Sequence, residues 1–220
     1  MNKKSVFLTV TKAALVVLAV SCAKLDVVAS YSEVSFENIL RNLPQTVTQD
    51  PQYGAWSLSA PDGGARFLFD ANYAALRLDA SPFIAAGLDP SKAPAGDFSV
   101  KDGEIVVEAK LEGEARRGSA LSSPLSGYHE FARLHRGAIG YHAALNHYGV
   151  SLGGGFLFEW AKDIESNDKD IVFALNPEPF AAAGADVSNI NGWNLSSVTA
   201  DDENGKPIQA DKLLKAFNLK

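Results

Sequence analysis

Leu78-Asp-Ala-Ser-Pro-Phe-Ile-Ala-Ala-Gly-Leu-Asp89 returns later in the chain as Leu175-Asn-Pro-Glu-Pro-Phe-Ala-Ala-Ala-Gly-Ala-Asp186, with seven of twelve positions identical. The flanks agree in order. Tyr53-Gly54 precedes the first copy and Tyr148-Gly149 the second. Gly63-Gly64 stands before Phe67-Leu68-Phe69, and Gly153-Gly154-Gly155 before Phe156-Leu157-Phe158. An ordered set of matches points to an internal duplication, and repeats constrain the fold more than any single element does.

Each copy reads as a short strand turning into a capped helical corner. Asp79 and Asn176 can accept from free amides at a helix start. A proline follows in the first turn, where its missing N–H costs little. Phe83 and Phe180 then face inward, and Gly87 and Gly184 stop the turn. Outward from the corner the pattern is mostly β. Trp56 and Leu58 alternate with Ser57 and Ser59, Pro61-Asp62-Gly63-Gly64 is a turn, and Phe67 and Phe69 share a strand face. Glu104 to Leu111 places Ile105, Val107, Ala109 and Leu111 on one side. Tyr148–Leu152, Phe156–Trp160, Ile171–Leu175 and Gly192–Thr199 read likewise, with Asn204-Gly205 as a hairpin turn. Two helices are expected, over Ser35–Asn42 and over Pro124–His135, the second re-forming as far as Leu145.

These elements predict an α+β protein of two tandem repeats of about 95 residues, packed with pseudo-twofold symmetry. Each repeat is a helix followed by a β-meander with a short capped helical turn. The expected division is 1–21 signal peptide, 22–34 tether, 35–112 first repeat, 113–123 linker and 124–220 second repeat.

The first 22 residues carry Lys3 and Lys4, an unbroken apolar run from Ala13 to Val20, and then Ser21-Cys22. Charged, apolar and small-residue regions in that order make a secretory signal. The run is shorter than the ~20 residues a spanning helix needs. Cys22 is the only cysteine, and the segment resembles a bacterial lipoprotein signal, although Ala19 stands where that class usually has Leu. The resemblance implies cleavage before Cys22, acylation (palmitate among the chains) of that residue and a lipid anchor on the extracytoplasmic side of a membrane in the bacterial cell envelope. The alternative is an ordinary signal and a secreted protein.

Residues 1–21 hold three lysines and no acid, so the 20 basic and 26 acidic residues of the whole chain become 17 and 26 after Ser21, a net of −9. Nucleic acid is a poor partner for such a surface, because phosphate binding needs a basic footprint. With Cys22 acylated no disulfide can form, so packing alone must hold the fold.

All four histidines lie between His129 and His147. Imidazole is the commonest metal ligand, so His129, His135, His142 and His147 are metal candidates, and one His with Tyr141 could hold haem. Spacing speaks against one helical site. His129 and His135 are off one face, and H-E-x-x-H is absent. The acidic run Asp163–Asp170 fails the calcium-loop template at its sixth and twelfth positions. Duplicated halves make a cleft at their interface. The leading expectation is therefore a lipoprotein binding a small molecule, polymer or protein there, with His135, Tyr141, His142 and Trp160 as candidate contacts. The alternatives are an assembly lipoprotein working through protein contacts and a metal-assisted hydrolase in which histidines converge with an acid such as Glu159.

Overall fold

A computed structural model describes residues 22–42, 46–111, 123–164, 169–201 and 207–219. The signal segment, most of the expected linker, the Asn204-Gly205 turn and residues 165–168 of the acidic run lie outside the described residues.

The chain is α+β, with two six-stranded antiparallel sheets and a few helices. Helix α1 (Cys22–Asn42) leads into β1 (Val47–Asp50), β2 (Ala55–Ser59), β3 (Ala65–Asp70) and β4 (Tyr73–Asp79). The short helix α2 (Ser81–Ala85) makes the corner before β5 (Ser99–Lys101) and β6 (Glu104–Glu108). Helix α3 (Pro124–Leu134) opens the second series: β7 (Ile139–His142), β8 (His147–Gly153), β9 (Phe156–Ala161) and β10 (Ile171–Leu175). Helix α4 (Glu178–Ala182) precedes β11 (Asn194–Asp201) and β12 (Pro207–Phe217). One sheet runs β1-β2-β3-β4-β6-β5 and the other β7-β8-β9-β10-β12-β11, so the two are similar in strand order.

Alternation along the strands decides the packing. Leu58, Phe67, Phe69, Leu76 and Val107 from the first sheet share one buried cluster with Val150, Phe158, Ile171 and Phe173 from the second. The two sheets meet where Phe67 stacks on Phe158, centroids 4.2 Å apart. Lys215 of β12 reaches across to Asp62 in the β2–β3 turn at 2.5 Å.

The helices cross over. Helix α1 packs on β7 and β8 of the second sheet, and α3 packs on β3 of the first. Phe36 of α1 stacks on Tyr128 of α3 at 4.3 Å and meets Phe69 and Trp160 edge-on. Ser35 donates to the carbonyls of Ala161 and Lys162 in the second half. The expected short helix thus begins at Cys22, thirteen residues before Ser35, and the segment expected as a tether is helical. Helix α3 ends at Leu134 and does not re-form. A single 3₁₀ turn over Arg136–Ala138 follows, and β7 has begun by Ile139. The strand from Glu104 stops at Glu108.

The two corners touch reciprocally. Asp89 N–H donates to the Ala183 carbonyl and Asp186 N–H to the Ala86 carbonyl, at 2.9 and 2.7 Å. Asp79 and Asn176 accept from Ser81 and Glu178 amides as expected, but one residue ahead of the cap positions, which are Ala80 and Pro177. Gly87 and Gly184 hold φ of +100° and +99°, and a Cβ on either would sit 3.0 or 3.1 Å from the other's carbonyl oxygen. Gly87→Ala or Gly184→Ala should therefore each lower stability by about 2–4 kcal/mol, from left-handed strain plus a backbone clash. Because both changes push the same two backbones apart, the double variant should cost less than the sum of the singles in urea unfolding.

Tyr128 is wholly buried, its hydroxyl 2.9 Å from Ser32 Oγ, which itself donates to the Ala29 carbonyl. Burial pushes the phenol well above the ordinary tyrosine range, with the Ser32 bond opposing. The unfolded chain loses this proton near pH 10 while the folded chain keeps it, so stability falls as pH rises beyond about 10. Tyr128→Phe should flatten that alkaline loss and cost about 1 kcal/mol at neutral pH, read from unfolding midpoints between pH 7 and 11.

Candidate functional site

A cavity of about 590 Å³ opens between the halves, within the size range of small-molecule sites. Its floor is apolar: Val107 at the end of β6, and Leu152 and Phe156 from β8 and β9, all buried. Leu111 and Ala138 form walls, and the half-exposed Leu134 stands at the rim. The rim carries both charge signs in Asp97, Glu108, Lys110 and Arg136. Arg136 pairs with Asp26 near the start of α1. His135 lines the wall just after α3, its ring 5.2 Å from Phe131.

The local sequence explains the opening. Gly153, Gly154 and Gly155 turn from β8 to β9 with φ of +87°, +62° and +82°, a run that side-chain-bearing residues resist. A Cβ on Gly154 would meet the Phe156 ring at 3.4 Å and approach Asp97 Oδ1 of the other half at 3.9 Å. The glycines thus keep side chains out of the cavity mouth. A second groove, about 760 Å³, adjoins it across the Glu108–Lys110 edge and is lined by Tyr53, Arg77 and Lys101.

The four sequence candidates do not come together. Only His135 lines the cavity. Tyr141 faces the core side of β7, its ring 5.1 Å from Tyr148 and its hydroxyl donating to Asn146 at 2.7 Å. Trp160 is fully buried among Phe36, Tyr128, Tyr148 and Phe158. His142 sits on the opposite face of the second sheet, directly across the ladder from His147. Its Nδ1 is 3.3 Å from Glu159 Oε1. Glu159 reaches it over Gly149, where a Cβ would meet the Glu159 side chain at 3.0 Å. His129 lies at 3.7 Å from Glu33, between α3 and α1. Among the described residues no group of three or more His, Cys, Asp or Glu is placed to hold a metal ion.

At the β8–β9 turn, Lys212 is buried and donates to the Gly155 carbonyl at 2.8 Å. Burial pushes its pKa down, while Glu159 and Glu178 pull it back up. The first sheet carries a charged outer face that the sequence reading missed. Arg66 bridges Asp50 and Glu104 at 2.5 and 2.7 Å, and the Arg77 guanidinium lies 3.7 Å over the Tyr53 ring. Its signal was present in Arg66, Arg77, Glu104 and Glu108, which occupy the outward positions of β3, β4 and β6. No family model matches this chain, and no curated protein or solved structure matches it either.

Proposed function

We propose that this chain is exported, acylated on Cys22 and held on the extracytoplasmic side of a bacterial membrane, where it binds an amphiphilic small molecule between its halves. The cavity carries this reading: an apolar floor of Val107, Leu152 and Phe156 below a rim of mixed charge suits a ligand with an apolar body and a polar end. We also infer that the halves arose by duplication. Their shared strand order, the matched corner sequences and the reciprocal Asp89 and Asp186 bonds support this.

The test is native mass spectrometry of the full chain extracted from its own host in mild detergent. Acyl mass on Cys22 and a co-purifying small molecule are expected. Ala138→Trp, which fills the cavity from its wall, should lose the small molecule, keep the acyl mass and shift the melting temperature little. A wild-type chain carrying acyl groups but no ligand would remove the binding reading and leave the anchor.

A further inference from the structure

Helix α1 presents an inverted surface. Its inward face over the third and fourth turns is small and polar, with Ala29, Ser32 and Ser35 all buried, followed by Phe36 and Ile39. Its outward face carries Val27, Tyr31 and Val34, which are 52%, 61% and 58% exposed. At about 100° per residue these three fall within a ~60° arc, on the side of the helix away from Phe36. A stripe of large apolar side chains turned to solvent marks a contact surface.

The occupant follows from what precedes the stripe. The apolar run Ala13–Val20 is followed by Ser21, and Cys22, the first described residue, is already helical. Val27 then lies about 7.5 Å and Val34 about 18 Å along the helix axis from Cys22, at 1.5 Å per residue. Because a continuous helix joins them, anchoring Cys22 in a bilayer places the stripe within reach of the interface. We infer that α1 lies against the membrane surface through Val27, Tyr31 and Val34, so that the anchored domain has one fixed orientation; this rests on the reading that Cys22 is acylated. The helix lies on the bilayer and does not cross it, since no helix among the described residues is long and apolar enough to span. The net charge of −9 after Ser21 makes the contact apolar rather than electrostatic, because anionic lipid repels such a domain. The Asp26–Arg136 pair ties the cavity rim to the first turns of the same helix, so the cavity opens beside the headgroups.

Acylated Cys22 offers no free thiol, which makes an introduced cysteine a unique site for a spin label. Full-chain Tyr31→Cys, Val34→Cys and, as a distant control, Ser91→Cys would be labelled and reconstituted in neutral phosphatidylcholine vesicles. Accessibility to oxygen and to an aqueous nickel chelate would be read by power saturation, and acylation by intact mass. The two stripe labels should gain oxygen accessibility and lose nickel accessibility severalfold relative to Ser91→Cys, with no change between low and high salt. Stripe labels as open to nickel as the control, on a chain whose mass shows acyl groups, would overturn the contact and leave the anchor standing. A chain whose mass shows no acyl groups, its Cys22 then free to take a second label, would overturn the anchor and with it the contact that rests on it.

Discussion

A chain divided within residues 112–122 should yield two pieces that do not fold alone and that recover the native fold when mixed in equal amounts. Each piece has a complete six-stranded sheet and enough residues for a small domain, so sheet topology alone would allow independence. The crossed helices forbid it. Without its partner, the first piece leaves Phe36 and Phe67 without Tyr128, Trp160 and Phe158, and the second loses the same contacts from its own side. A buried aromatic stripped of its packing costs about 3–5 kcal/mol, and a domain holds only about 5–15 kcal/mol in all. Two such losses exhaust the margin. Circular dichroism and thermal melting of each piece, alone and mixed, would show this. A cooperative transition in either isolated piece would refute it.

Trp160→Ala should lower stability by about 3–5 kcal/mol, among the largest effects of any single substitution here. Its side chain is fully buried, at 0% exposure, and touches rings from α1, α3, β8 and β9. Its indole N–H has no hydrogen-bond partner among the described residues. An orphaned buried donor carries a penalty of about 1–3 kcal/mol. Trp160→Phe trades lost volume against relief of that penalty and should stay within about 1 kcal/mol of the native protein. Urea unfolding would separate the two variants, with the midpoint shifting and the slope held constant. Near-native stability of Trp160→Ala would mean that the residue does not hold the core.

The corners were legible in the sequence because they are local. A polar residue, a proline, an inward Phe and a stopping glycine all act within ten residues, and the structure has Phe83 and Phe180 buried in contact at 4.9 Å. The strands on either side followed from alternation. Helix α1 was half legible. Over Val27–Val34 its buried face is Ala and Ser and its exposed face is apolar, so a periodicity argument that equates apolar with inward reads this stretch backwards. The helix expected to re-form as far as Leu145 failed for a different reason. His135 and His142 share a helical face only if one helix joins them, and the strand starting at Ile139 replaces the 3.6-residue period with a period of two. The mirror order Tyr141-His142 and His147-Tyr148 about a four-residue turn was the hairpin signal that pairs His142 with His147. The cavity could not be read from spacing at all. Lys110, Leu111, Arg136 and Phe156 meet only because two distant segments pack together.

The crossing of α1 onto the second sheet also sets a clock. Phe36 cannot reach its place until Trp160 exists, and synthesis proceeds at about 5–20 residues per second. The leading helix therefore waits on the order of ten seconds for its partners. Contacts of such long sequence separation close late in folding. A chain that cannot complete its core early stays threadable, as the export proposed above would require. In this protein the delay is written into the order of its helices.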